Sequence, residues 1–516
     1  MQKKKKGLFS KFLDGVEKVG NKLPHPVTIF FLLCLLIIGV SAILAAFDIS
    51  LTYTKVDTKT NEIITVTDSV KSLLSVDGIR YILTSMVTNF TGFAPLGSVL
   101  VPMLGVGLAE HVGLISAMIK KLVLSTPKGL ITAVVVFAGV MSNVAGDAGY
   151  IVLVPLGAII FGSFGRNPIA GLAAAFAGVS GGVSANLILG TIDPLLSGIS
   201  TEAAKIADPN YFVSPMSNYF FMAVSVVLIV ILGTIVTEKI VEPRLGKYEG
   251  KIDENDSVTT ITKDEKRGLR FALISFIVLT VIILAMTIPS NGILRSEAGE
   301  LIAAGSPFMD SIVVIIFLAF IVPGIAYGIG AKTIRNDKDV EKALSMSIKS
   351  MSSYVVMVFF AAQFVNYFNY TNIGTLIAVK GAELLQSLNF QGLPLLVCFI
   401  LMCGFINLFM GSASAKWAIM APIFIPIFMG VGLSPEATQV AFRIGDSVTN
   451  LITPLMTYFA LIAVTLQKYD KKAGMGTLIS TMVPYSVVFT IGWTILLIVW
   501  YLLGLPIGPG APIFLG

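Results

Sequence analysis

The chain has 516 residues, of which 55% are hydrophobic and 13% charged, with a formal net charge of +6 and a mean hydropathy of +0.87. Such a length would ordinarily suggest several soluble domains, but apolar runs of about 20 residues recur throughout, each long enough to cross a hydrocarbon core ~30 Å thick. The composition excludes that soluble reading and points to an all-α polytopic membrane protein whose main partner is the lipid bilayer.

Residues 1–24 are basic, and Leu8, Phe9, Phe12, Leu13 and Val16 follow helical spacing, which predicts a cytoplasmic amphipathic segment lying in the interface. The apolar run at about 25–47 is too long for the core of a signal peptide and is read as the first span. Full crossings follow at about 94–118, 168–198, 212–237, 270–290, 308–330, 350–372, 435–466 and 478–504, making nine transmembrane helices. Two more apolar runs, about 129–163 and 392–430, are interrupted by SNVAGDAG and MGSASAK. Small and polar residues at mid-depth free backbone groups that lipid cannot satisfy, so each break must face protein or a wet cavity. Both runs are therefore predicted to be re-entrant hairpins.

Lysine and arginine placement supports this layout. With the N-terminus cytoplasmic and the hairpins not counted as crossings, 27 of the 36 Lys and Arg residues fall on the inner side and 7 on the outer side. Lys416 and Arg443 are the remaining two. This is the positive-inside bias, and it places the C-terminus extracytoplasmic in a multi-pass protein of the cell membrane. The net charge is thus mostly a topology signal, and nucleic-acid binding is not inferred from it.

The charged linker 241–269 divides a first half, 25–240, from a second, 270–516. GGVSANLI at 181–188 aligns with GDSVTNLI at 445–452, and TIDPL at 191–195 and TPL at 453–455 follow them. Each copy comes after one hairpin, and the hairpins open to opposite sides, so the halves are inverted. Inverted repeats with broken helices near the midplane are the architecture of secondary transporters.

Charges at the bilayer centre cost ~2.5–3.5 kcal/mol on insertion scales unless paired or wet. Asp147, Asp193, Lys416, Arg443 and Asp446 should therefore share a cavity. Arg443 and Asp446, three apart, are placed to pair on one helix face. Ser447 and Asn450 follow near the same stripe, and the Pro454 break exposes carbonyls suited to a small cation. Gly411, Ser412 and Ser414 at the second hairpin tip offer backbone N–H groups suited to an anion, and Trp417 offers a flat face for an aromatic ring. Blander roles stay open: a structural Arg443–Asp446 pair, Trp417 as packing, Lys416 snorkelling, Asp193 capping the half-helix behind Pro194, and Glu110 and His111 near a cytoplasmic helix end. Cys34, Cys398 and Cys403 have no ligand spacing and are read as packing thiols, and with His25 and His111 the only histidines no metal site or cofactor is expected.

The blocks GNKLPHPVTIFF, MSNVAGDAGYIVLVPL, AFAGVSGGVSANLILGTIDPLLSGI, SASAKWAIMAPIF, RIGDSVTNLITPLM and QKYDKKAGMGTLISTMVPYS resemble the AbgT family of p-aminobenzoyl-glutamate transporters, from about residue 20 onward. The resemblance implies a homodimer with nine spans and two re-entrant hairpins per protomer. It also implies transport of p-aminobenzoyl-glutamate, an aromatic anion, with some members exporting sulfonamide antimetabolites. By motif it places functional positions on Asp193, Ser414, Trp417, Arg443, Asp446, Asn450 and Pro454, and cavity or cation positions on Asn143 and Asn186. Gly146 and Thr457 depart from the family pattern. The SNV tip also resembles a Ser-Asn-Thr signature of divalent-anion sodium symporters.

The expected function is secondary active transport of a small aromatic anion coupled to H⁺ or Na⁺. Lys416 joins the substrate set, and Ser412, Asp446 and Asn450 join the cation candidates. Asp193 is the preferred proton carrier, on the argument that Arg443 would oppose protonation of Asp446. Alternatives are a sulfonamide efflux pump, a sodium-coupled dicarboxylate symporter, a channel or an intramembrane enzyme. The chain has no HExxH for a zinc hydrolase and no GxxxxGK[ST] for ATP-driven pumping.

Overall fold

The computed structural model describes residues 24, 26–56, 63–145, 149–248, 250, 261–301, 306–456 and 458–515. The amphipathic segment expected at 1–24 (apart from Pro24), the centre of the 241–269 linker, Gly146, Asp147 and Thr457 lie outside the described residues.

The first half contains α1 (Pro26–Ala46), strands β1 (Ser50–Val56) and β2 (Ile63–Ser69), α2 (Val76–Thr91), α3 (Ala94–His111), α4 (Leu114–Leu124), α5 (Ile131–Ser142), α6 (Val154–Ser163), α7 (Pro168–Phe176), α8 (Ile192–Ala204) and α9 (Tyr219–Val236). The second contains α10 (Lys263–Thr287), α11 (Ile312–Ala331), α12 (Asp337–Ser350), α13 (Ser352–Tyr370), α14 (Ile373–Ser387), α15 (Gly392–Asn407), α16 (Ala413–Met429), α17 (Pro435–Thr449), α18 (Phe459–Gln467) and α19 (Met475–Leu502). Among the described residues six helical stretches are long and apolar enough to cross a membrane, and nine if each sharply bent pair counts as one span.

The broken helices fall where the sequence places them. α5 and α6 are parted by the SNVAGDAG break, and α15 and α16 by MGSASAK. The two conserved-order motifs of the repeat sit at the breaks α7–α8 and α17–α18. A π-turn, Ala177–Gly181, extends α7 toward its break. The halves meet in an aromatic core in which Phe176 of α7 lies edge-on to Phe459 of α18, with ring centroids 6.4 Å apart.

Three features differ from expectation. The run at 94–118 is not one crossing: α3 ends at His111, Gly113 adopts φ 93°, and α4 meets the following helix at 115°. Only a residue without a Cβ takes that left-handed turn at no steric cost. The stretch before the second hairpin, read as an outer loop, contains α14, bent 118° from α15. Its Ile373, Ala378 and Ala382 are buried, a one-sided stripe that supports a surface-lying helix. Finally, Ser50–Val56 and Ile63–Ser69 pair as antiparallel strands, with Thr52 opposite Thr67 and their hydroxyls 2.9 Å apart. These Thr-, Val- and Ile-rich strands suit a pleated surface, and they are the one departure from an all-helical chain among the described residues.

Loop contacts sort by predicted side. Predicted inner segments meet one another: Lys120 pairs with Glu265 at 3.2 Å and Arg166 with Glu242, while Arg244 donates at 3.1 Å to the carbonyl of Ser480, near the start of the span expected at 478–504. On the predicted outer side the Lys71 amide donates at 3.2 Å to the carbonyl of Thr371, at the end of the span expected at 350–372. After α19 the chain folds back over that outer side. Phe221 N donates to Ile507 O (3.0 Å), Ser434 N to Ile513 O (2.9 Å) and Leu515 N to Gly432 O (3.0 Å).

Glycines permit the closest helix crossings. A Cβ on Gly139 of α5 would come within 2.8 Å of Gly178 Cα, and one on Gly445 of α17 would run into the Ile400 carbonyl of α15. Small residues that let backbones touch are the usual device of membrane helix packing. In each half they press the first hairpin arm against the helix that breaks.

Candidate functional site

The two breaks bring nearly all the buried charge together. Asp193, in the first turn of α8, is 2% exposed, and its Oδ1 lies 2.8 Å from Arg443 on α17. Its Oδ2 accepts from Asn186 Nδ2 (2.6 Å) and from the Gly190 amide (2.8 Å). The unwound stretch 182–191 therefore cradles the carboxylate with its own backbone and with the asparagine of the repeat. Arg443 also donates to the Ser184 carbonyl at 2.8 Å.

This corrects the pairing expected from spacing. Arg443 and Asp446 do not pair with each other: Arg443 reaches across to Asp193, and Asp446 pairs with Lys416 of α16. Three residues along a helix turn the side chain by about 300°, and here the two groups are drawn to different neighbours. The argument that Arg443 discriminates against a proton on Asp446 loses its premise, because each carboxylate has its own cation.

Lys416 also donates to Asn407 Oδ1, at the end of α15. The two hydrogens of the Asn407 amide are shared among three acceptors, the Asp446 main-chain carbonyl (2.7 Å), Thr449 Oγ1 (2.9 Å) and Asn450 Oδ1 (2.8 Å). The second hairpin is thus latched to the second broken helix by a closed polar cluster. Such buried networks are rigid when satisfied and costly when a member is removed.

Trp417 is fully buried, stacked on Phe442 with centroids 4.5 Å apart, and its Nε1 donates to Ser200 Oγ at 2.9 Å. In this closed arrangement one face of the ring is occupied by a phenylalanine. Ser200 donates to Gln439 Oε1 (2.6 Å), and Gln439 donates to Asn218 Oδ1 (2.7 Å). Ser412 is exposed and caps α16, and Ser414 is half-buried, so the hairpin tip is accessible while the charges are not. Pro454 is half-buried in the α17–α18 break, and Asn450 is 8% exposed. Asn143 is not drawn into either cluster: its amide donates to the Gly139 and Val140 carbonyls of its own helix.

Sequence reasoning missed Asn407, Gln439, Asn218 and Ser200. The first had a signal, since Asn407 ends the second hairpin's first arm as Asn143 ends the first one's. Asn218 and Ser200 lie in segments that are polar enough to look like ordinary loop or helix-end residues. Within the site, Arg443 Nε, Ser184 Oγ and Asn186 Oδ1 are buried without a hydrogen-bond partner. Buried orphan donors and acceptors are rare and mark a place where another polar group can enter.

Comparison with known proteins gives a consistent result. The family model described as "AbgT putative transporter family" matches residues 11–515. The p-aminobenzoyl-glutamate transport protein of Escherichia coli (strain K12) is 42% identical over 500 residues, covering 97% of this chain and 96% of that protein. The Alcanivorax borkumensis YdaH transporter, described as having an unusual topology, is 44% identical with a TM-score of 0.87, over 94% of this chain and 100% of that one. MtrF of Neisseria gonorrhoeae, described as illuminating a class of antimetabolite efflux pumps, is 52% identical with a TM-score of 0.91, over 97% of this chain and 100% of that one.

Proposed function

Because this chain belongs to the AbgT family of membrane transporters, we propose that it is a secondary active transporter that moves p-aminobenzoyl-glutamate or a related aromatic anion across the cytoplasmic membrane, driven by a proton or sodium gradient. Like its family, it is a transporter and not an enzyme. The observation that carries the finer reading is the Asp193–Arg443 pair, which joins the break of one inverted half to the helix of the other.

That pair supplies a coupling device. A substrate carboxylate can compete with Asp193 for the Arg443 guanidinium, which presents a planar fork of donors matched to a carboxylate. Asp193, once released, needs a new partner, and a proton or a sodium ion provides it. The orphaned Arg443 Nε and Asn186 Oδ1 lie where these exchanges occur. Ser412 and Ser414 give an anion its first accessible contact, while Lys416, Asp446, Asn450 and Pro454 organise the other side of the site. Trp417 serves a substrate ring only after Phe442 moves away. The unit is a homodimer of two-halved protomers with cytoplasmic N-termini. Efflux of antimetabolites is a second reading, favoured by the similarity to MtrF.

The test is uptake of labelled p-aminobenzoyl-glutamate by purified protein in liposomes, with proton and sodium gradients imposed separately and Asp446→Asn as control. Accumulation under one gradient, abolished in the variant, is the expected result. Movement of sulfonamides with no accumulation of p-aminobenzoyl-glutamate would replace this reading with the efflux one.

A further inference from the structure

Among the described residues five Asp, Glu, Lys and Arg side chains are buried: Asp193, Lys416, Glu436, Arg443 and Asp446, none more than 4% exposed. Four of them form the two ion pairs already described. Glu436 is left over. It stands at the start of α17, and the Tyr211 hydroxyl donates to its Oε2 at 2.9 Å. No lysine or arginine among the described residues lies within ion-pair distance of it. Three buried acids against two buried cations leave one uncompensated negative charge if Glu436 is ionised, and none if it is protonated.

Two effects oppose each other here. The N-terminus of α17 favours an anion at Glu436, but dehydrating an unpaired carboxylate costs more than a helix end returns. The neutral acid is the form that a closed, dry environment selects.

The surroundings contribute little charge of their own. From the segment preceding α9 come Tyr211 and, near it, Asp208. Burial keeps the Tyr211 hydroxyl well above its usual range, so it remains a donor. At the end of α8, Glu202 and Lys205 satisfy each other at 2.8 Å. The turn 430–434 and the tail 505–515 that cover this end contain no ionisable side chain.

Glu436 is also wired to the charges below it. Glu436, Gln439 and Arg443 recur at helical spacing along buried α17. Asn218 binds this stripe at three points: it donates to the main-chain carbonyl of Glu436 (3.1 Å), accepts from Gln439 (2.7 Å) and lies 3.5 Å from Arg443 Nη1. Tyr211 is only half-buried and leads from Glu436 to the predicted outer surface.

We propose that Glu436 is a proton-exchanging positioning residue: it carries a proton while the predicted outer side is closed, and gives it to water when that side opens. The negative charge so created acts on the first turn of α17, whose Glu436 main-chain carbonyl is held by the same Asn218 amide that meets Gln439 and Arg443. This inference rests on the reading of the chain as an ion-coupled carrier, and adds a titrating group outside the Asp193–Arg443 pair.

The test is infrared spectroscopy of the full-length protein in liposomes near neutral pH, without substrate. The expected spectrum contains a protonated-carboxyl band that Glu436→Gln removes and that Tyr211→Phe shifts by deleting its hydrogen bond. A wild-type spectrum lacking the band, or a band that survives Glu436→Gln unchanged, overturns the proposal. If Glu436→Gln does not fold, Tyr211→Phe decides alone, and an unshifted band is again the overturning result. Failure of the transport reading would appear separately, as wild-type protein that accumulates no substrate under any gradient.

Discussion

Asp193 and Asp446 occupy related places in the two halves yet find their cations differently. Asp193 lies just after its break and takes Arg443 from the opposite half; Asp446 lies just before its break and takes Lys416 from the hairpin of its own half. The partners of the second cluster all lie in the second half. The first spans the halves, so of the two ion pairs the Asp193–Arg443 pair is the one that registers how the halves stand relative to each other. The repeat has thus kept its backbone breaks and divided the charges, with one ion pair across the halves and one within a half.

The strongest way to break this comparison is Arg443→Ala. It strands a buried carboxylate, which costs about 3–5 kcal/mol, and should abolish uptake. Adding Asp193→Asn should recover much of the lost thermal stability in detergent without restoring transport. If the double variant is no more stable than Arg443→Ala, the pair is not the link described here.

Lys416→Met should cost about 3 kcal/mol, because it strands the Asp446 carboxylate; Asn407 reaches only the Asp446 main-chain carbonyl. A double-mutant cycle with Asp446→Asn should give a coupling of ~1–3 kcal/mol, whereas a cycle of Lys416→Met with Asp193→Asn should be additive within ~0.5 kcal/mol. Equal coupling in both cycles would erase the distinction between a local and a cross-half pair.

Gly445→Ala sharpens the packing side of the comparison. The added methyl meets the Ile400 backbone, and overpacking of this kind costs ~1–3 kcal/mol. The loss should appear as a lower unfolding temperature with substrate affinity nearly unchanged. Unaltered stability would mean that α15 and α17 do not touch where the structure puts them. The smallest effect is expected from Ser200→Ala, which removes the acceptor for Trp417 and should cost ~0.5–1.5 kcal/mol. Should it instead abolish substrate binding, Trp417 serves the substrate directly even in this packed arrangement.

Much of this was legible from the chain because membranes punish irregularity. Polar residues amid apolar runs located both hairpins and both breaks, and the insertion cost of Asp193, Lys416, Arg443 and Asp446 gathered them into one site. Partner choice was not legible. Arg443 and Asp446 are close in sequence, and nothing in their spacing reveals that α8 offers a competing carboxylate. Asn218, Gln439 and Ser200 gain their roles only from the packing of α17 against distant segments. The paired β-strands and α14 escaped because outer segments face no hydrophobic constraint strong enough to write a clear pattern.

The tail that folds back after α19 has a consequence for mutational tolerance. It clamps Phe221, Gly432 and Ser434 through main-chain hydrogen bonds, which are indifferent to side-chain identity. Single substitutions at the exposed positions Leu505, Pro506, Pro512 and Phe514 should therefore pass unnoticed in a mutational scan. The exceptions are the buried Ile507, Ala511 and Ile513, Gly508, whose Cβ would meet the Met216 and Ser217 backbone, and Gly510, which takes φ 65°. Insertions and deletions shift every bond in the clamp at once, so this stretch should read as permissive to spelling and intolerant of length.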